Sequence, residues 1–232
     1  MNLQAERNMY APSSAGKIVG ALFLIQMAVG IYINFALLPT LSWEPGALAA
    51  EAPSGIKFGL ITLLALVNSS FNLVVGIIGY LIFKKYNPLL ALMVLVFPGV
   101  SLALTGVEYA RFLELVFYSQ HYQAASAEAK VLLETFRPVF AASRDWAHYI
   151  AIGFSGFSVF LFYSLLLQSA RMPRLLAGFG ALAAASQVCG VSMGLMGNSV
   201  PMLMLLPLAL AQLILPLYLI VKGLAVRDDL VA

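Results

Sequence analysis

The stretch from Asn87 to Tyr118 decides the fold and reads NPLLALMVLVFPGVSLALTGVEYARFLELVFY. It follows two lysines, and no charged residue interrupts it before Glu108. Because about 20 helical residues cross the hydrocarbon core of a bilayer, a helix that begins after Lys85 reaches the far interface near Glu108. The stretch therefore predicts a membrane-spanning helix with charged residues at its far end.

The same apolar character extends along the whole chain of 232 residues, of which 62% are hydrophobic and 10% are charged. Globular domains have about 45–50% apolar and about 25% charged residues. We therefore predict an all-α, polytopic helical bundle with little soluble structure. Its six spans are expected at about 16–41, 56–83, 87–118, 138–171, 175–196 and 201–224, with terminal tails at 1–15 and 225–232.

The basic residues between these spans predict the orientation of the bundle. By the positive-inside rule, the side that is richer in lysine and arginine faces the cytoplasm, so both termini are predicted to be cytoplasmic in a multi-pass protein of the cytoplasmic membrane. Nucleic acid is not an expected partner, because the basic residues do not gather on one binding face. The richer side holds Arg7, Lys17, Lys84, Lys85, Arg171, Arg174, Lys222 and Arg227, and the other side holds Lys57, Lys130 and Arg137.

Nearly every ionisable residue within or beside the spans belongs to the third or the fourth of them. A charged side chain at the centre of a bilayer costs about 2.5–3.5 kcal/mol on the scale derived from insertion experiments, so such residues normally face the protein interior. The two spans run in opposite directions, which places both charged groups at the same outer level. The sequence therefore predicts an outward-facing pocket between these spans, lined by Glu108, Arg111, Glu114, Arg144, Asp145 and His148.

Spacing within each span predicts which of these residues pair. Arg111 lies three residues from both Glu108 and Glu114, and residues three apart are neighbours on a helix surface. One helix can therefore satisfy its own arginine on two sides. Asp145 and His148 have the same spacing and are predicted to share one face of the fourth span.

Two further segments are predicted to border the pocket. Asn68 and Asn72 lie one helical turn apart on one face of the second span, where they either bond neighbouring helices or form a wall of the pocket. The stretch of about 124–136 mixes charged and apolar residues. It predicts a short amphipathic helix in the membrane interface, which acts either as a connector or as a lid.

Three hypotheses for this pocket are open. In the first, Arg111 and Arg144 bind a small anionic ligand or a lipid head group, because arginine pairs with carboxylate or phosphate through two hydrogen bonds. In the second, the charges form a structural network without a ligand. In the third, the pocket is a membrane-embedded enzyme site at the outer leaflet. A metal-dependent version of this site would draw its ligands from His148, His121, Glu114 and Asp145. The sequence lacks the spacing of known metal motifs.

The three hypotheses predict different geometries. An enzyme needs carboxylates and an imidazole that converge on one point with an open reaction position. A binding protein needs an arginine with an incomplete set of partners inside a cavity. A structural network needs matched charges and no cavity. The residues themselves identify no substrate, no reaction and no cofactor.

Three short motifs stand out beyond these patterns: RFLE at Arg111–Glu114, DWAH at Asp145–His148 and SARMPRLLAG at Ser169–Gly178. With these motifs the chain resembles, from Gly16 to Gly223, a bacterial family of integral membrane proteins known as domain of unknown function 4386. The third motif is similar to the family's short turn between two spans, with Ala177 where glycine is more usual. The resemblance implies a bundle of six or seven spans and no established activity.

Overall fold

The computed structural model of the protein describes residues 12–38 and 55–225, which form six long helices in succession. The helices are α1, Pro12–Ile31, which continues into a π-helical segment, Tyr32–Leu37; α2, Gly55–Phe83; α3, Pro88–Ala124; α4, Ala127–Ser169; α5, Arg174–Leu195; and α6, Met202–Lys222. All six are long and apolar enough to cross a membrane. The protein is therefore an all-α, multi-pass membrane protein in a lipid bilayer, as predicted. Most of both predicted tails and the expected end of the first span, residues 39–41, lie outside the described residues.

Local sequence signals explain where the helices begin and end. The Asn87 side chain accepts a hydrogen bond from the backbone N–H of Leu90 at 3.1 Å, and proline occupies the first position of α3. Both features are typical of a helix start. At the end of α4, Ala170 has a φ of 51°, in the left-handed region that often closes a helix. The turn before α5 therefore forms where the Ser169–Gly178 motif predicts it.

The third and fourth helices are longer than predicted. α3 continues to Ala124, and Ser126 caps the start of α4 by accepting a hydrogen bond from the N–H of Ala129 at 3.3 Å. The stretch of about 124–136, predicted as a separate amphipathic connector, instead forms the end of α3 and the first turns of α4, and Pro138 lies within that helix. At 1.5 Å per residue the two helices are about 55 and 65 Å long, against a hydrocarbon core of about 30 Å. They therefore form a hairpin that projects from the bundle.

Each helix packs against the next one in the chain and α6 packs against α1, so the bundle is a ring closed in sequence order. We call one end of the ring the base, where the start of α1, the turn after α4 and the end of α6 meet. There Ser13 contacts Gly223, and the N–H of Ala225 donates to the Arg171 carbonyl at 2.9 Å. The guanidinium of Arg171 donates in turn to the carbonyl of Ala225 at 3.3 Å, which ties the base together.

The closest approach between α1 and α6 is also at the base. A Cβ atom at Gly20 would lie 2.6 Å from the carbonyl oxygen of Pro216, and one at Gly16 would lie 2.5 Å from the backbone nitrogen of Leu224. These distances leave no room for a side chain at either position. The four-residue spacing of the two glycines predicts such close packing, and the structure confirms it.

Two apolar clusters fill the ring, and a polar layer separates them. The larger cluster lies toward the base and includes the buried side chains of Phe23, Phe162 and Leu215. The smaller cluster, at the other end, includes Ile33 and Phe112. On α1 to α4, the residues that lie between the two clusters line a polar cavity. This cavity is the candidate site.

Candidate functional site

The polar layer contains a cavity of about 160 Å³ between α1, α2, α3 and α4, which we call the inner chamber. More helices contribute to it than predicted, because α1 lines it in addition to α3, α4 and the α2 wall. Polar groups away from water normally have hydrogen-bond partners or a function. The polar lining consists of the amides Gln26, Asn34, Asn68 and Asn72, the hydroxyl groups of Ser69, Ser101, Thr105, Tyr109 and Ser155, and the side chains Glu108, Arg144 and His148.

Glu108 is the centre of the charged part of the chamber. It is only 4% exposed, and its Oε1 atom lies 2.9 Å from Nδ1 of His148 and 3.5 Å from Nη2 of Arg144. Arg144 and His148 are one helical turn apart on α4, so both side chains reach the same carboxylate on α3. A buried carboxylate of this kind needs such partners, because an isolated charge in an apolar interior is strongly unfavourable.

Arg144 joins the buried carboxylate to the surface. Its Nη1 atom lies 3.0 Å from Oδ1 of Asp145, whose side chain is 56% exposed, whereas the side chain of Arg144 itself is 16% exposed. The arginine therefore lies between two carboxylates. Asp145 does not line the chamber, although its spacing from His148 predicted a shared face.

Arg111 and Glu114 belong to a different place. Their side chains are each 44% exposed and form a salt bridge of 2.8 Å with one another, on the outside of α3. The prediction that Arg111 pairs with one of its two neighbouring glutamates is confirmed for Glu114, while Glu108 turns toward α4. Of the six charged residues predicted to share a pocket, the structure brings only Glu108, Arg144 and His148 into the chamber lining.

The candidate metal ligands do not converge. His121 lies on the projecting part of α3, where its Nδ1 atom is 3.0 Å from the carbonyl of Phe117. It lines an apolar groove together with Glu114, apart from the inner chamber. Within the described part of the chain, no three histidine, cysteine, aspartate or glutamate side chains are grouped so that they could hold a metal ion.

Asn68 and Asn72 form the α2 wall of the chamber, one turn apart as predicted. Asn72 is 7% exposed, and its amide donates to Oγ of Ser155 on α4 at 2.8 Å. The backbone carbonyl of Asn68 accepts a hydrogen bond from the side chain of Gln26 on α1 at 3.0 Å. Its side-chain oxygen is buried and has no hydrogen-bond partner among residues 12–38 and 55–225. This oxygen is an acceptor that a bound molecule could satisfy.

The end of α1 changes its helical form beside the chamber. The chain becomes π-helical at Tyr32–Leu37, and Asn34 in this segment donates from its side chain to the carbonyl of Gly30 at 2.9 Å. Single π-helical turns are rare and occur frequently at functional sites. Here the π-helical turn contributes Asn34 to the chamber lining.

A second, wider space of about 500 Å³ continues from the inner chamber toward α6, and we call it the outer chamber. The two chambers share the polar residues Gln26, Asn34, Asn68, Asn72 and Ser155, together with Gly30. The remaining lining of the outer chamber is mostly apolar. It consists of Phe23, Met27, Ile31, Phe35, Val159, Ala209 and Gln212.

Sequence reasoning missed several polar residues of the lining, among them Gln26, Asn34, Ser101 and Thr105. A usable signal existed in the spacing, because Ser101, Thr105 and Glu108 follow one another at intervals of four and three. Such a polar stripe on an otherwise apolar helix predicts one face that turns toward an interior polar space.

The chemistry of the inner chamber suits hydrogen bonding more than charge neutralisation. The guanidinium of Arg144 already meets two carboxylates, at 3.5 Å and 3.0 Å. If Nδ1 of His148 donates to Glu108, its Nε2 atom keeps a lone pair that can accept a hydrogen bond from a ligand. The same pairing of one carboxylate with one imidazole orients the general base in hydrolases. Amides and hydroxyl groups supply the other donors and acceptors.

These features define a class: an integral membrane protein whose described residues form six helices, with a polar chamber between the first four of them. Within that class, the chain belongs to the family described as Domain of unknown function (DUF4386), whose sequence profile matches residues 18–223. The resemblance expressed by the sequence motifs is thereby confirmed. No curated protein and no solved structure matches the chain.

Proposed function

We propose that this protein binds a small polar ligand, or the polar head group of a lipid, in the inner chamber. The observation that carries the proposal is the cavity itself, onto which the Glu108–His148 pair, Arg144 and four amides converge. A purely structural network requires matched charges and no cavity. Arg111 and Glu114 form a matched pair on the outside of α3, whereas the charges of the inner chamber border a polar cavity.

The lining favours an uncharged hydrogen-bonding ligand over an anion. An anion at Arg144 would have to compete with Glu108 and Asp145 for the same guanidinium. A hydroxyl or amide group would instead donate to the buried Asn68 oxygen or accept from neighbouring amides without displacing a charge. The proposal therefore keeps Glu108, Arg144, His148, Asn68 and Asn72 of the site expected from the sequence and changes the expected ligand.

We also propose the cytoplasmic membrane as the location of the protein, with the base at the cytoplasmic side. Lys17, Lys84, Arg171, Arg174 and Lys222 lie at or near the base in the described helices, and the positive-inside rule places such a basic end in the cytoplasm. The inner chamber is then closer to the outer leaflet. Labelling of single cysteines introduced at either end, with a reagent that does not cross membranes, tests this orientation.

The test of ligand binding is the content of the purified protein. The full chain is extracted in a mild detergent, denatured, and searched for released small molecules by mass spectrometry. Glu108→Gln removes the charge that holds His148 and Arg144 in place. We expect it to retain about tenfold less ligand than the wild type, since a hydrogen bond to a charged group is worth about 1.5–3 kcal/mol.

Glu114→Gln is the matched control, because it makes the same change on the same helix outside the chamber. It should retain as much ligand as the wild type. Equal retention by both variants, or a wild-type protein that carries no small molecule, would contradict the proposal.

A further inference from the structure

We infer that the ligand is an amphiphile that reaches the site sideways from the bilayer, with its uncharged polar head in the inner chamber and its apolar chain in the outer chamber. This inference rests on the proposed function and specifies the class of ligand and its route. It is carried by the position, the lining and the opening of the outer chamber.

The two chambers have opposite chemistry and are continuous. Gly30, Asn34, Asn68 and Asn72 border both of them. Beyond this shared border, charged and hydroxyl groups line the inner chamber together with the aliphatic side chains of Ile33, Ala65, Ala151 and Ile152, whereas the described lining of the outer chamber includes no charged group and consists mainly of aliphatic and aromatic side chains. A molecule that satisfies both surfaces needs a hydrogen-bonding group at one end and an apolar group at the other.

The outer chamber opens toward lipid rather than toward water. Ile31 and Phe35 line it and are 49% and 75% exposed, and Ala209 on α6 is also exposed. These residues belong to helices of the membrane-spanning ring, whose exposed outer surface faces the acyl chains of the bilayer. A chain that leaves the chamber past Ile31, Phe35 and Ala209 therefore enters lipid along the apolar edge of the opening, while the exposed Asn34 forms its polar edge.

The helix packing explains why the opening lies between α1 and α6. At the base these helices touch through Gly16 and Gly20, with no space for a side chain. Further along, Met27 and Ile31 of α1 and Ala209 of α6 face the chamber that lies between the two helices. On the other side of α1, the hydrogen bond from Gln26 to Asn68 at 3.0 Å joins α1 to α2 at the level of the chambers.

The size of the chambers agrees with this occupant. The inner chamber of about 160 Å³ accommodates a group of a few heavy atoms, and the outer chamber of about 500 Å³ is larger. Small-molecule sites in proteins generally measure about 300–1,000 Å³. The larger volume thus lies on the apolar side, as an amphiphile with a small head and a longer chain requires.

The probe for this inference is a monoacylglycerol that carries a photoactivatable diazirine in its acyl chain, because its head group is uncharged and rich in hydroxyl groups. The full-length protein in lipid nanodiscs is irradiated with the probe, and labelled peptides are identified by mass spectrometry. We expect labelling of residues 27–35 and 206–212 to exceed that of Leu175 and Leu182, the exposed side chains on the outside of α5. A fatty acid with the same chain and diazirine should label the chamber less.

Gly30→Leu blocks the border between the chambers. A Cβ atom at Gly30 has 4.0 Å to its nearest neighbour, the amide of Asn68, so the helix tolerates the substitution while the longer side chain fills the space. We expect chamber labelling to fall about tenfold. Gly59→Leu is the control, because a Cβ atom there meets nothing within 4 Å and the residue lines neither chamber.

The outcomes separate this inference from the proposed function. Chamber labelling no higher than on α5, or equal in Gly30→Leu and Gly59→Leu, overturns the amphiphile, and stronger labelling by the fatty acid overturns the uncharged head. If a water-soluble molecule still co-purifies in a manner that depends on Glu108, the proposed function stands alone. If chamber labelling fails in this way and no co-purified molecule depends on Glu108, both fail.

Discussion

Glu108 and Glu114 lie six residues apart on α3, and each forms a salt bridge with an arginine, yet they belong to different environments. Glu108 is 4% exposed and its partners come from α4, whereas the side chain of Glu114 is 44% exposed and pairs with Arg111 on its own helix. Exposed pairs contribute about 0.2–1 kcal/mol. Breaking a buried pair costs about 3–5 kcal/mol, because it leaves an uncompensated charge. Burial and the origin of the partner therefore distinguish a site from a surface feature.

The largest expected effect is that of replacing each glutamate by alanine. Glu108→Ala leaves Arg144 and His148 without their shared carboxylate, and we expect a loss of about 3–5 kcal/mol in the free energy of unfolding. Glu114→Ala should cost about 0.5 kcal/mol or less. Thermal unfolding of both variants in the same detergent measures the difference. Similar shifts in the two variants would show that Glu108 is not held in a buried network.

The arginines provide the next test. Arg144 uses two different nitrogen atoms for its two carboxylates, and lysine offers a single ammonium group that cannot reproduce this geometry. Arg144→Lys should therefore lose about 1.5–3 kcal/mol, the value of one hydrogen bond to a charged group. At the exposed site, Arg111→Lys keeps an adequate partner for Glu114 and should be nearly neutral. Equal stability of Arg144→Lys and Arg111→Lys would contradict this prediction.

A third prediction asks whether burial matters without charge. Asn72 donates to Ser155 across the chamber at 2.8 Å, between α2 and α4. A double-mutant cycle with Asn72→Leu and Ser155→Ala should give a coupling energy of about 0.5–1.5 kcal/mol. The corresponding cycle for Arg111 and Glu114 should give about 0.3–0.5 kcal/mol. If the coupling energy of Arg111 and Glu114 were larger than that of Asn72 and Ser155, charge rather than burial would determine how strongly a pair contributes to stability.

The all-helical, membrane-spanning fold could be predicted from the sequence because its signal is local. Runs of about 20 apolar residues bounded by lysine, arginine, proline or glycine set the helices that cross the bilayer, and the spacing of Gly16 and Gly20 predicted a close helix contact. The extension of α4 was missed, because Pro138 and the charged residues before it resemble a break. Proline is in fact tolerated inside that helix, and the Ser126 cap marks its actual start.

The candidate site was only partly predictable, because its composition depends on how α3 is rotated about its axis. Spacing alone gives Arg111 two equivalent partners, and nothing local makes Glu108 turn toward α4. The contacts of Glu108 lie 36 and 40 residues away in sequence. Pairs within one helix, such as Arg111 and Glu114, follow from sequence, whereas pairs between helices require the packed ring.

The smallest expected effect concerns salt. The Debye length falls from about 30 Å at about 0.01 M to about 3 Å at about 1 M ionic strength, and exposed charges are screened far more than buried ones. The cost of Glu114→Ala, about 0.3–0.5 kcal/mol for a pair within one helix, should therefore disappear when the unfolding experiment is repeated in about 1 M sodium chloride. The cost of Glu108→Ala should change little, because protein atoms rather than solvent surround that carboxylate. If salt reduced the costs of both substitutions by the same fraction, the inner chamber would be as accessible to ions as the outer surface of α3. The two glutamates would then differ in the strength of their salt bridges and not in their exposure to solvent.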